Sequence, residues 1–217
     1  MLPGGAFGDV SVNDAPGFVF SSIELLKNYE RAVESWGPEV PGSSDATFKL
    51  CVGGWPVSVY GVLHVYYSDN KKEISTQFRP VAYMLHASES EKSITKLLEC
   101  AKAAVLLVSG VHVQHSTGCT DRAGEQRLAW QSVHPESVWV TCWPHVARKV
   151  TKEWLPRMHD KDFKDKAKEH LNLLHLARSD TQFNILAIVV AAEWVAAGEE
   201  NLAAYVGKEY LTSPWNK

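Results

Sequence analysis

The residues with the clearest chemical potential are two aspartates and a Cys-x-x-His pair. Asp45 stands in "SSDATFKLCV", where the chain enters a run rich in β-branched and aromatic residues. Asp121 stands in "STGCTDRAGEQRL", where a short strand-like run gives way to a helical one. A carboxylate at the mouth of a core is costly to desolvate unless a cation compensates it. Two such groups brought together raise one another's pKa unless a divalent ion sits between them. Oxygen-only ligands on a partly hydrated site suit Mg²⁺ or Mn²⁺, the ions that assist phosphoryl transfer. Simpler alternatives stay open: Asp45 as the end of the "PGSS" turn, and Asp121 as a helix cap. "TCWPHVARK" at 141–149 adds Cys142-x-x-His145 followed by two bases; taken alone, it reads as a buried thiol and a surface imidazole.

The elements that would position these groups follow from periodicity. "SSIELLKNYERAVESWG" opens with a Ser cap, repeats apolar residues at helical spacing and ends in Gly, which predicts a helix over 21–37. "ATFKLCV" and "WPVSVYGVLHVYY" flank Gly53–Gly54 as a hairpin, and "QFRPVAYMLHA" supplies a third strand over 77–87. A capping-box pattern at Ser88 and Glu91 then opens a helix that closes at Gly110. A strand over 111–120, a helix over 121–135 and a strand over 137–143 complete the order βββαβαβ. That order predicts an α/β layer with a mixed sheet, three antiparallel strands followed by two parallel additions. Asp45 would begin the first of these strands and Asp121 would end the fourth. From Pro144 onward the pattern is helical, and residues 1–17 are Gly/Pro-rich and read as ragged.

Bulk properties exclude several classes. The 217 residues suffice for a sizeable core, and 45% apolar with 22% charged residues is ordinary globular composition. A net charge of −3 argues against holding nucleic acid by bulk electrostatics. Four cysteines, Cys51, Cys100, Cys119 and Cys142, make no disulfide framework and suit a reducing compartment. No signal-peptide pattern opens the chain, and "ILAIVVAA" stops at Glu193, too short to span a bilayer. The expectation is a protein of the nucleus or cytoplasm, neither secreted nor in a membrane.

Several segments taken in order resemble the MULE (Mutator-like element) transposase domain, especially its oomycete-type versions. They are "SSDATFKLCVGGWPVSVYGV", "VAYMLHASESEKSITKLLECAK", "DRAGEQRLAWQSVHPESVWVTCWPHVARK" and "HLARSDTQFNILAIVVAAEWVAAGEENLAAYVGKEYLTSPWNK". The resemblance implies an RNase H-like fold with a D, D, E metal triad, Mg²⁺- or Mn²⁺-assisted cleavage of DNA and strand transfer. Asp45 matches the first acid and Asp121 the second, as metal ligands. Cys142 and His145 match the CxxH beside the active site, with Trp143 and Pro144 giving the oomycete spelling CWPH. It further implies an N-terminal tail and helix at 1–39, the core at 40–150 and an incomplete helical insertion at 151–217. The family's third acid lies in an Asn-Asn-x-x-Glu-like segment after a "PWNKW"-like stretch, and this sequence stops at Pro214-Trp215-Asn216-Lys217. Glu193, Glu199, Glu200 and Glu209 fall in the insertion-like helices, with Glu193 the one internal substitute. The resemblance therefore predicts a copy truncated before its third acid, with little or no strand transfer.

Two rival readings come from other classes. His115-x3-Cys119 with Cys142-x2-His145 would supply four ligands for a structural zinc. The other rival is a non-enzymatic remnant that binds nucleic acid or protein. The segment 148–170 holds eight Lys/Arg against five Asp/Glu, either a solvated helix face or a patch that tracks phosphates. The tryptophans at 130, 139, 143, 154, 194 and 215 read as packing more than as base-stacking platforms.

Overall fold

The computed structural model describes residues 6–9, 17–47, 53–121 and 123–211. Cys51, the second half of "ATFKLCV" and the 214–217 end lie outside them. The chain divides into two compact units, Met1–Val140 and Thr141–Lys217.

The first unit is α/β, built on a mixed open sheet. Its strands are β1 (Ala6–Asp9), β2 (Gly17–Phe20), β3 (Gly42–Thr47), β4 (Val57–Ser68), β5 (Glu73–His86), β6 (Thr117–Thr120) and β7 (Val138–Thr141), in the spatial order β1-β2-β5-β4-β3-β6-β7. The β3–β4–β5 meander is antiparallel, and β6 joins β3 in parallel. Parallel neighbours need a crossover, supplied after β5 by α2 (Glu91–Ser109); α3 (Gly124–Val133) links β6 to β7. α1 (Ile23–Trp36) is capped by Ser22, as the sequence predicts, and buries Leu26, Tyr29 and Ala32. It packs on β4, β5 and α2, while α2 packs on α3. Leu97, Leu98, Ala101 and Val105 of α2 join Tyr60, Val62 and Trp130 in the core.

Four local departures from expectation have physical causes. Residues 17–20 pair antiparallel with β5; four residues are too few to show a period, so only the partner strand reveals them. β3 opens at Gly42, making Asp45 its fourth residue rather than its first. A Cβ at Gly42 would lie 2.6 Å from the Trp130 ring, and one at Gly118 of β6 equally close. These two glycines let the indole lie against the β3–β6 seam. The cap of α2 is Ser90 with Ser93, not Ser88 with Glu91, because the serine hydroxyl at the third helical position reaches back to the Ser90 N–H. β6 begins at Thr117 instead of 111, since His115 leaves the strand path to bond Val40.

The second unit is helical throughout its regular structure: α4 (Trp143–Lys149), a π turn over Val150–Trp154, α5 (Lys164–His175), α6 (Asp180–Ala196) and α7 (Glu200–Tyr210). It has a core of its own, with Val150, Leu155, Leu171, Val190, Trp194 and Val206 at its centre. No helix among the described residues is long and apolar enough to cross a membrane.

Candidate functional site

Two pairings fix where the acids stand. β3 and β6 align Gly42 with Gly118 and Ser43 with Cys119. Continuing that register by two residues sets Asp45 level with Asp121, and residues paired in a parallel ladder point to the same face. Ser43 Oγ donates to the Cys119 carbonyl at 2.7 Å, closing the two strands just before the acids. The end of β6 is also pinned from β7, where Trp139 Nε1 donates to Thr120 Oγ1 at 2.9 Å.

Both acids are half-buried. Asp45 Oδ1 accepts from the Ala46 N–H at 2.8 Å, and Asp121 Oδ1 from the Ala123 N–H at 2.9 Å. Asp121 is not the cap of α3; that position is Ala123, which offers no side chain to the helix. Asp45 lies inside β3, and Asp121 makes an Asx turn at the entry to α3.

A third carboxylate, not singled out in the sequence, belongs to the same neighbourhood. Glu89 sits in the β5–α2 connection, between His86 and the α2 cap, and accepts from Gln126 Nε2 at 2.7 Å. His86 Nδ1 donates to the Ser88 carbonyl at 2.6 Å, so its Nε2 accepts from Ser58 Oγ at 2.8 Å. Burial raises the Glu89 pKa above its ordinary value; a hydrogen bond from Gln126 opposes this, and the charges of Asp121, Asp45 and Glu125 raise it further. The field of both aspartates thus reaches Glu89. One sequence signal could have found it: an acid immediately before the cap of the helix that follows the meander.

The donor set can be tested against a metal on its chemistry. Carboxylate oxygens, with no nitrogen or thiolate at the aligned positions 45 and 121, suit Mg²⁺ or Mn²⁺ better than zinc. Among the described residues no group of three or more His, Cys, Asp or Glu side chains could hold a metal ion. What fits is the pair, since Mg²⁺ is commonly bound through one or two carboxylates plus substrate phosphates.

Of the other sequence candidates, His115 precedes β6, and Cys142, His145, Glu193 and Glu199 belong to the second unit. His115 is buried, its Nδ1 donating to the Val40 carbonyl at 2.6 Å and its Nε2 accepting from Tyr60 at 2.7 Å. Both ring nitrogens are therefore committed to packing, which removes His115 as a zinc ligand. Two hollows of about 360 and 260 Å³ share Lys102, Val113 and Val133, and neither is lined by Asp45, Glu89 or Asp121. Cys142 and His145 belong to the second unit: Cys142 precedes α4, and its carbonyl accepts from the His145 N–H at 3.1 Å. Trp143 stacks on His175 at 4.5 Å. Glu193 is tied to Lys166 at 2.6 Å and to His170 at 3.5 Å, and Glu199 is buried, accepting from the Asp160 N–H. Cations of the 148–170 segment are partly spent locally, Lys168 on Asp165 and Arg157 over Trp154. Trp130, Trp139 and Trp194 are buried, as packing residues should be.

No protein-family model matches this chain, and the curated proteins contain no match to it.

Proposed function

We propose that the chain is an RNase H-like domain of the MULE transposase type, in which Asp45 and Asp121 hold Mg²⁺ or Mn²⁺ against a DNA phosphodiester. The observation that carries this reading is the β3–β6 register, whose continuation by two residues brings Asp45 level with Asp121, 76 positions away. The order β5-β4-β3-β6-β7, a three-stranded antiparallel meander extended on the β3 side, supports the RNase H-like assignment. The helical unit fits an insertion that follows the last strand of the sheet.

Asp45 and Asp121 would bind the cation, with their orientations set by the Ala46 and Ala123 amides. A bound divalent ion would supply the Lewis acidity that polarises the phosphodiester and activates water. Both acids are half-exposed.

The test is nicking of supercoiled plasmid by the purified chain in Mn²⁺, beside Asp121→Ala. Nicking that disappears in Asp121→Ala supports the proposal. Nicking at equal rate in both overturns it, as does a folded wild-type chain that neither nicks nor binds Mn²⁺.

A further inference from the structure

α1, α2 and α3 pack together on one face of the sheet, and the opposite face carries apolar residues in the open. Along β4, Ser58, Tyr60 and Val62 are buried on the helix side. There Tyr60 meets Trp130 of α3, and His64 Nδ1 lies 3.0 Å from Ser35 Oγ of α1. The alternate residues Val57, Val59, Leu63, Val65 and Tyr67 point the other way. Their partners across the ladder are Leu85, Tyr83, Phe78, Thr76 and Ile74, with the extra residue at Val81 keeping β5 in step. β2 adds Phe18 and Phe20 beside them, and Phe20 stacks on Tyr83 at 5.6 Å. The solvated face of an antiparallel sheet is normally polar. Here no charged residue of β2, β4 or β5 points to it. Asp45, opposite Val59, borders this field on the side away from β2.

The same face extends onto an unsupported arm. From the His64–Gln77 pair to the Ser68–Glu73 pair, the β4–β5 hairpin has no other partner strand among the described residues. A two-stranded ribbon is marginally stable alone, yet this one leaves Tyr67 58%, Ile74 74% and Phe78 39% exposed. Phe18 and Phe20, at the end of β5 away from the hairpin tip, are 47% and 42% exposed. At ~200 Å² for a side chain of this size, these five leave about 500 Å² uncovered. The half-buried residues of β4 and β5 between them bring the face close to the ~800 Å² per partner of a stable interface. Without a charged residue, it offers no electrostatic handle to a different partner and meets its own copy free of like-charge repulsion. We propose that the chain forms a two-fold homodimer, sheet on sheet, through the open face of β2, β5 and β4. A two-fold axis through that face sets the arm of one copy against the phenylalanines of the other, so both exposed ends are covered together.

The experiment is sedimentation equilibrium of the full chain at micromolar concentrations. It compares wild type, Ile74→Glu, Phe20→Glu and Ile188→Glu, with a thermal melt of each. Wild type should run at twice the 24.1 kDa chain mass. Ile74→Glu and Phe20→Glu should each weaken association about a hundredfold, because every substitution enters a two-fold interface twice. Ile74 is exposed enough that its variant keeps the fold even if Phe20→Glu does not. Ile188, 72% exposed on α6 of the second unit, is the control, and its variant should associate as wild type does. A wild type of monomer mass, or larger than a dimer, overturns the proposal. So does undiminished association of folded Ile74→Glu or folded Phe20→Glu, or a loss of the dimer in Ile188→Glu.

Discussion

The two ends of β6 carry polar groups under opposite conditions. Before the strand, His115 is 6% exposed and packs against Tyr29, Tyr60, Trp130 and His134, the last at 4.6 Å between ring centres. Burial lowers its pKa to about 4, with the Val40 hydrogen bond opposing and Lys102 assisting, so the ring is neutral and serves as a packing element. After the strand, Glu89 is the shifted group: burial raises its pKa, the Gln126 hydrogen bond opposes this, and the charges of Asp121, Asp45 and Glu125 raise it further. At one end both ring nitrogens of His115 are satisfied within the fold. At the other, burial of Glu89 and the neighbouring acidic charges add in the same direction.

Trp130 serves both ends, touching His115 and donating from Nε1 to Ser44 Oγ, so breaking it should have the largest effect. Trp130→Ala should cost about 3–5 kcal/mol for the ring alone, with a further loss for the buried Ser44–Gln126 hydrogen bond left behind. Urea denaturation measures it, and a loss under about 1 kcal/mol would show that the seam is not held this way.

Acidification should act with opposite sign at the two ends. An unfolded His takes up its proton near pH 6.5 and folded His115 only near 4, so stability falls between those values, by about 3 kcal/mol for this residue. His134, lowered to about 3 by burial and then by His115 and Lys102, adds in the same direction. Glu89 runs the other way: its folded pKa is raised, so protonation relieves the native state as pH falls through that value. Stability curves between pH 7 and 4 should therefore steepen in Glu89→Gln and flatten in His115→Gln.

The smallest effect belongs to the aspartate pair itself. Asp45→Asn in chelator should leave the melting temperature unchanged or raise it, by up to about 1 kcal/mol of stability for a half-exposed charge. A drop of many degrees on differential scanning calorimetry would make Asp45 a structural residue and erase the contrast.

Legibility along the sequence followed the range of the interactions. α1 was readable from Ser22, its apolar spacing and Gly37, because caps and helical periods act over a few residues. The meander was readable because alternation and the Gly53–Gly54 break are also local. β2 was not, as its four residues become a strand only through β5. The start of β6 was misplaced because His115 answers to Val40 and Tyr60, 75 and 55 positions away.

For the candidate site, the sequence by itself determined two aspartates at the ends of strand-like runs and an all-oxygen donor set. Residue type fixes that chemistry wherever the chain goes. The tertiary structure alone decided that β3 and β6 pair in a register that leads on to Asp45 and Asp121, that their charges act on Glu89, and that both nitrogens of His115 are bonded within the fold. Each of these depends on contacts between segments remote in the chain, and no local pattern of residues encodes such a contact.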